Sequence, residues 1–490
     1  MQIKKHFRLL LLRLYQFGWV VGFFVLTTVA GAQPSLSPII SAQLQPYLQD
    51  YHMGVYIQSM NSGKVLYQHN AKQLFLPASL QKLLTATAAL MYLGPHFHFT
   101  TAVYTDKKIT AHAVNNIWIK FVGDPLFRHE NLQQLLQQLV KSGITTINGN
   151  IYLDHGQFGD IPYGAGWFWR DLSYDYTAPV DAIMIDHNAF ILKVTANKIV
   201  NKLPTFETGL PSGIVTFKNK AKTTRFYSRD CPLMIFSDSQ DHFTLSGCVA
   251  QQYPHQKRSL AIRDPGFYAT VLVQQYLHAL GIQFKGQVIL TPGHQGKLLL
   301  AQHQSLPLTK IVTIMLKNSD DLIADSLLKT LGATYYHSRG TWVNGIKALE
   351  KILAPTGINF HTAHVDDGAG LSRYNLLSPA QFGQLLRYIY HQPLLFKNIR
   401  AALPVAGVDG TLGGRMRWNY HSRIIRAKTG TMTDVSGLAG YAIYQQQVIA
   451  FVIMINDFYQ KPHQVHQLQD KICEIISHFL QSSPPQSTKQ

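Results

Sequence analysis

Ser79 and Lys82 stand three residues apart in the stretch Pro77-Ala78-Ser79-Leu80-Gln81-Lys82. On a helix, positions i and i+3 share a face, so this hydroxyl and this amine can meet. A serine needs a base to become a nucleophile, and a lysine in its amine form supplies one. Leu80, Leu83, Leu84, Ala88 and Met91 recur at helical spacing. They predict a helix that opens at Pro77-Ala78-Ser79 and runs to about Leu93. Ser79 then sits at its N-terminus, where free N–H groups favour developing negative charge. The pair alone is weak evidence. Ser79 reads equally as an ordinary capping serine, and Ser326-Leu327-Leu328-Lys329 repeats the spacing.

Two later segments carry complementary chemistry. Lys428-Thr429-Gly430-Thr431 ends a strand. Its lysine can face a substrate carboxylate, its threonines can donate to the same group, and its glycine leaves the strand surface open. At a sheet edge such a strand can pair with an extended peptide. Ser319-Asp320-Asp321 opens a helical run at 322–331. Its plain reading is a capping serine followed by acids that suit the helix dipole. The three segments nevertheless stand in a specific order: a serine–lysine pair, then Ser-Asp-x, then Lys-Thr-Gly. That combination marks acyl-serine enzymes of the penicillin-binding and class A β-lactamase kind. The order also disfavours Ser326, which follows the middle element.

Further stretches extend the likeness: FVGDPLF (121–127), GAGWFWRDLSYDYTAP (164–179), DDGAGLSRYNLLSP (366–379), LPVAGVDGTL (403–412) and RAKTGTM (426–432). With these the chain resembles the low-molecular-mass class C penicillin-binding proteins, the D-alanyl-D-alanine carboxypeptidase/endopeptidase group of peptidase family S13. The separation of 240 positions from Ser79 to Ser319 also resembles this family and exceeds the gap in class A β-lactamases. The resemblance implies a multidomain α/β fold. Its transpeptidase-like, serine β-lactamase-like domain has a five-stranded antiparallel sheet beside helices, and β-rich domains are inserted after the first motif. It implies Ser79 as nucleophile, Lys82 as its base, Ser319 as proton relay to the leaving amine, and Lys428 in the proton network. Thr429, Gly430 and Thr431 would bind the substrate carboxylate, and the N–H groups of Ser79 and Thr431 would form the oxyanion hole. Asp154, Phe158 and Arg373 would lie near the diamino-acid side chain of the stem peptide; their plain readings are loop capping, core packing and a surface salt bridge. No metal or other cofactor is implied. Peptidoglycan stem peptides and β-lactam antibiotics are the expected partners.

One position departs from the family. Its middle motif is Ser-x-Asn, whereas Asp321 stands here. Asparagine offers an acceptor and a donor; an ionised aspartate only accepts. A carboxylate beside Lys82 and Lys428 should also favour their ammonium forms and weaken a free-amine base. A weakly active homologue that binds wall peptide or a protein partner is therefore the alternative.

The elements that must position these residues can be read coarsely. MGVYIQSM (53–60) and VLYQHN (65–70) predict a hairpin. Short strands at 116–123, 149–154, 190–196 and 286–291 alternate with turns, and helices are expected at 130–141 and 268–280. Helical pattern returns at 307–331, 341–353 and 376–390, followed by strands at 423–430, 435–445 and 447–457. A last helix at 462–480 carries Val465, Leu468, Ile472, Ile475, Ile476 and Phe479 on one face. It fits a helix lying across a sheet, with a membrane surface as the rival. The expected organisation is a leader at 1–32, a transpeptidase-like first part at 33–93, an inserted β-rich region at 94–300, a second part at 301–481 and a disordered tail at 482–490. The aromatic run Trp167-Phe168-Trp169 is expected to pack rather than to form a sugar platform.

Composition bounds the setting. The 490 residues are 46% hydrophobic and 14% charged, which suits a globular chain of more than one domain. Lys4, Lys5, Arg8 and Arg13 precede an apolar stretch and Ala30-Gly31-Ala32. This is the pattern of a cleaved secretory signal, with an uncleaved anchor as the other reading. Both send the rest of the chain out of the cytoplasm, and the periplasm is the expected compartment. The formal charge of +18 falls to +14 without the four basic leader residues. Such a protein is drawn to wall polymer or the membrane periphery. Scattered basic residues, with one modest cluster at 218–225, argue against nucleic acid. The 22 histidines are dispersed and no His-Glu-x-x-His occurs, which disfavours a metal hydrolase. Cys231 and Cys248 are either a disulfide or two small buried residues, and Cys473 lies on the apolar side of the last helix.

Overall fold

A computed structural model describes residues 35–417, 423–459 and 461–482. The leader expected at 1–32 and nearly all of the tail at 482–490 lie outside the described residues. The central sheet has five strands in the order Ile425–Met432, Val435–Tyr444, Gln447–Asn456, His52–Ser59 and Val65–His69. Every neighbouring pair is antiparallel. The hairpin near the start of the chain is thus completed by strands near its end.

Burial explains the middle of this sheet. Val435–Tyr444 and Gln447–Asn456 are covered on both faces along nearly their whole length, so they read as continuous apolar runs rather than alternating ones. One face receives Val465, Leu468, Ile472, Cys473 and Ile476 from the helix Pro462–Ser482, with Leu36, Ile40 and Leu44 from Leu36–Leu44. Each of these Val, Leu and Ile side chains is worth about 1.5–3 kcal/mol on burial. The last helix therefore lies on the sheet, not on a membrane. No helix among the described residues is long and apolar enough to cross one. The other face packs on the cluster built from Lys82–Tyr92, Leu308–Asn318, Asp321–Tyr336, Trp342–Leu353 and Pro379–Tyr390.

Two helical expectations change. The run at 307–331 is not one helix. It breaks at Ser319, which adopts the left-handed conformation with φ 60°, ψ 38°. Asp320, rather than Ser319, caps the next helix, its carboxylate accepting from Ile323 N at 2.9 Å. A helix at Pro393–Ala402 was not legible, because only Ile399 and Ala402 are buried along it.

The edge strand Ile425–Met432 is half covered. Ala406 N donates to Ile425 O and Ala427 N to Pro404 O, so the segment at 404–406 pairs with its start. No backbone partner flanks its outer side beyond Ala427 among the described residues.

All the other sheets come from residues within 100–304. The largest is five-stranded, in the order Val288–Thr291, Ile151–Asp154, Ile117–Lys120, Thr100–Thr105 and Leu298–Gln304. These residues have a hydrophobic cluster of their own. The second serine–lysine pair fixes them to the helical cluster. Ser326 Oγ donates to Gly123 O at 2.5 Å, and Lys329 Nζ donates to Ile161 O and Val180 O, both at 2.8 Å. Lys329 also sits 4.7 Å from the ring of Trp342. Burial pushes its pKa down to about 8. This pair is a docking element.

Cys231 and Cys248 form a disulfide with a Cα separation of 5.4 Å, and Cys473 is free and buried. Closing a loop with a sequence separation of 17 should contribute about 3 kcal/mol. A reductant should lower the urea midpoint of the wild type. The paired Cys231→Ser, Cys248→Ser variant should start from the lower midpoint and ignore the reductant. Equal midpoints for the two proteins would contradict the bond.

Candidate active site

The nucleophile stands on a tight turn. Ala78–Gln81 is a 3₁₀ segment that leads directly into the helix Lys82–Tyr92. In that geometry i and i+3 side chains eclipse, which stacks Ser79 over Lys82. Ala78 holds a left-handed φ of 47°. Two glycines admit the turn. A Cβ at Gly430 would stand 2.8 Å from Pro77 O and 3.2 Å from Ser79 N. At Gly370, φ is +91° and a Cβ would stand 1.9 Å from Ala78 O. The edge strand and the 366–372 loop thus press on the turn from two sides.

Lys82 is fully buried. Its ammonium nitrogen donates to Ser79 Oγ at 3.0 Å, Asp321 Oδ1 at 2.5 Å and Ala369 O at 2.7 Å. Three protons meet three acceptors. Burial pushes the Asp321 carboxyl above the ordinary carboxylate range, against the opposing charge and hydrogen bond of Lys82.

Across the cleft, Lys428 is also fully buried. It donates to Ser319 Oγ at 2.8 Å and to Thr429 O at 2.7 Å. Asp321 favours its ammonium form, as expected, but is outweighed. Burial, then the charge of Lys82, hold Lys428 well below the usual lysine range, and Asp321 opposes them only in part. Thr429 donates to Thr411 Oγ1 at 2.8 Å, while Thr431 is exposed on the strand. The Thr411 loop is tied down by Asp409, whose two oxygens each accept from Lys317 at 2.7 Å.

The left-handed Ser319 is fixed from behind. His187 Nε2 lies 3.2 Å from Asp320 Oδ2. Burial resists ionisation of Asp320, but the His187 hydrogen bond and charge, with the Ile323 N–H and the charge of Lys82, together hold the carboxyl low.

Several supporting groups escaped the sequence reading. Asp325 Oδ1 accepts from Gly368 N at 2.7 Å and Ala369 N at 3.1 Å. Asp367 accepts from Gly370 N and Ser372 N, both at 2.6 Å, from Asn375 at 2.9 Å and from the Trp167 indole at 3.0 Å. Together they shape the loop whose Ala369 carbonyl holds Lys82. The DDGAGLS stretch (366–372) was visible, but nothing in its spacing tells which acid turns inward.

Ser79, Asp321, Thr431 and Arg373 line one cavity of about 290 Å³ with Trp167 and Phe168. The Arg373 guanidinium lies 5.2 Å from the Phe168 ring and donates to Thr433 O at 2.9 Å. Trp167 packs against Trp342, but Phe168 and Trp169 are 43% and 77% exposed, so only part of this aromatic run packs. Asp154 and Phe158 do not reach the cavity. Asp154 is buried, accepts from Gly156 N at 2.8 Å and faces His294 at 3.2 Å. Phe158 is buried between Gly123 and Gly340, beneath Lys329. Their places are those of loop capping and core packing.

Burial raises the Asp325 carboxyl well above the ordinary range, the nearby Asp367 adding to it. A raised folded-state pKa means that this group's stabilisation is lost as pH climbs through that value. Asp325→Asn keeps the acceptor oxygen, so it should unfold near the wild-type midpoint at low pH and lose that pH slope. Asp325→Leu strands two buried N–H groups at about 1–3 kcal/mol each. Urea titrations over pH separate the two; a Leu variant as stable as Asn would refute this role.

The geometry can be set beside known proteins. The description "D-Ala-D-Ala carboxypeptidase 3 (S13) family" matches residues 37–478. The chain is 32% identical to D-alanyl-D-alanine carboxypeptidase DacB of Haemophilus influenzae over 451 residues, 91% of this chain and 94% of that protein. It is 27% identical to D-alanyl-D-alanine carboxypeptidase of Actinomadura sp. over 94% of this chain and 90% of that one. The crystal structure of penicillin binding protein 4 (dacB) from Haemophilus influenzae matches with a TM-score of 0.82 at 32% identity, covering 90% of this chain and 99% of that one. The same protein in complex with a β-lactam matches at 0.78. With a serine–lysine centre beside an open edge strand and a match spanning nearly every described residue, the chain belongs to the D-Ala-D-Ala carboxypeptidase 3 (S13) family of peptidases.

Proposed function

We propose that this protein hydrolyses D-Ala-D-Ala bonds of peptidoglycan stem peptides through an acyl-enzyme on Ser79, and that β-lactams acylate the same oxygen. The observation that carries this reading is the 3.0 Å contact of Lys82 Nζ with Ser79 Oγ, opposite the Lys428–Ser319 bond. Lys82, once it has lost a proton, takes the one on Ser79. The oxygen attacks the carbonyl of the penultimate D-Ala. The N–H groups of Ser79 and Thr431 receive the oxyanion, each such donor being worth about 3 kcal/mol. Ser319, held by Lys428, passes a proton to the departing amine as the C–N bond breaks. Thr429, Thr431 and Lys428 take the substrate carboxylate, and Arg373 meets the acyl-side chain of the stem. Water then releases the acid and restores Ser79. The names of the relatives and the β-lactam complex of one of them support this assignment.

The periplasm is the proposed compartment. The basic, apolar leader, the disulfide and a wall-peptide substrate support it. The positive charge favours contact with anionic wall polymer and the membrane periphery.

Brief exposure of the mature protein to penicillin should add one adduct to the intact mass, absent from Ser79→Ala. Folded wild type without an adduct would sink the acyl-enzyme reading.

The ion pair of Asp321 with Lys82 favours a second reading, that of a weakly active penicillin-binding homologue. An ammonium held by a carboxylate must shed a proton before it can serve as base. Asp321→Asn removes that charge and restores an amide donor. Its acylation by a fluorescent penicillin should be faster, by about tenfold if roughly 1.4 kcal/mol of barrier is removed. An equal or slower rate would show that the carboxylate does not restrain the base.

A further inference from the structure

Three consecutive residues of the 94–300 region, Asp186, His187 and Asn188, hold left-handed backbone, with φ of 56°, 61° and 47°. None is a glycine. Other residues visit this conformation singly rather than in runs, and each visit costs about 1–3 kcal/mol. Such a run persists only where its surroundings impose it, and both of its ends are clamped. Asp186 N donates to Phe127 O at 3.0 Å. Its carboxylate faces His129 Nδ1 at 2.9 Å and accepts from the Tyr268 hydroxyl at 2.8 Å. Asn188 is fully buried. Its side chain donates to Pro179 O and Ile183 O, both at 3.1 Å, and accepts from Ile185 N at 3.2 Å.

Between the clamps, His187 reaches the middle motif. Its Nε2 lies 3.2 Å from Asp320 Oδ2, in a contact whose side chains are only 27% and 20% exposed. Asp320 uses its other oxygen to cap the next helix at Ile323 N, and its own N–H donates to Met315 O at 3.0 Å. Ser319 precedes it in the left-handed turn, and the Ser319 hydroxyl accepts from Lys428. A rotation of Asp320 would swing that hydroxyl. The strained run thus holds one imidazole against the residue that sets where Ser319 points.

We infer that His187 is a positioning residue for the reaction: by holding Asp320 it keeps the Ser319 hydroxyl where it can pass a proton to the departing amine. The inference rests on the acyl-enzyme reading above. With an amide substrate the Ser79 Oγ–carbonyl bond forms, the carbonyl–nitrogen bond breaks, and the Ser79 proton ends on the nitrogen through Lys82 and Ser319. With a thiolester the carbonyl–sulfur bond breaks instead. The thiolate leaves with its electron pair and no proton, and the Ser79 proton passes to solvent. The two leaving groups therefore depend on Ser319 unequally.

The test measures kcat/KM on a peptide ending in D-Ala-D-Ala and on a thiolester with the same acyl part. His187→Asn keeps a residue that tolerates left-handed backbone, but its side chain is too short for Asp320. His187→Gln carries an N–H donor that far. Asp320→Ser, changed from the other side, keeps a helix cap and removes the oxygen that faces His187. His187→Asn and Asp320→Ser should each lower the amide value about tenfold or more and the thiolester value less than about twofold. His187→Gln should stay within about threefold of wild type on both. An equal fall on both substrates in folded protein would reduce His187 to a support of the fold and overturn the inference. So would wild-type amide rates in His187→Asn and Asp320→Ser, or a Gln variant as slow as the Asn one. A wild type inert toward the amide overturns the hydrolase reading itself, and this role with it.

Discussion

A buried lysine that must find three acceptors organises this structure. Removing an ammonium from water is tolerable only when its protons are all received. Lys82 meets that demand with one oxygen from its own turn, one from the head of the 321–336 helix and one from the 366–372 loop. Those segments are far apart in the chain, so the need of one side chain fixes where three elements meet. The loop is in turn shaped by carboxylates that face inward, Asp325 from the neighbouring helix and Asp367 from within. A second buried lysine, Lys428, repeats the arrangement across the cleft and fastens Ser319. Burial, helped by the charge of Lys82, holds Lys428 below the usual lysine range.

The same economy appears where the 94–300 region meets the helices. Ser326 and Lys329 reach backbone carbonyls of that region, and His187 returns the contact by pairing with Asp320. The residue between the two members of the middle motif is thereby anchored to a different part of the protein.

The sequence disclosed the chemistry better than the setting. Ser79, Lys82, Ser319, Asp321 and Lys428 were legible because short spacings in a fixed order constrain what they can do, and the structure brings them together. The break at Ser319 was not legible. Apolar periodicity runs through it on both sides, and only a left-handed residue reveals the turn. Asp325 and Asp367 were missed because an inward-facing acid looks like any other acid until its N–H partners are known. Asp154 and Phe158 present the opposite case. Their expected roles came from likeness alone, and local packing claims both side chains.

The half-covered edge strand has a consequence beyond catalysis. An open edge is a template for any extended chain, including the same strand of another molecule. Here the segment at 404–406 closes the first part of it, so the free stretch from Lys428 to Met432 spans only about 15 Å at the usual rise per residue. That length admits a few residues of a small ligand but gives two whole strands too little to zip together. The protein keeps a sticky surface for its work and trims it below the size at which it would invite fibre growth.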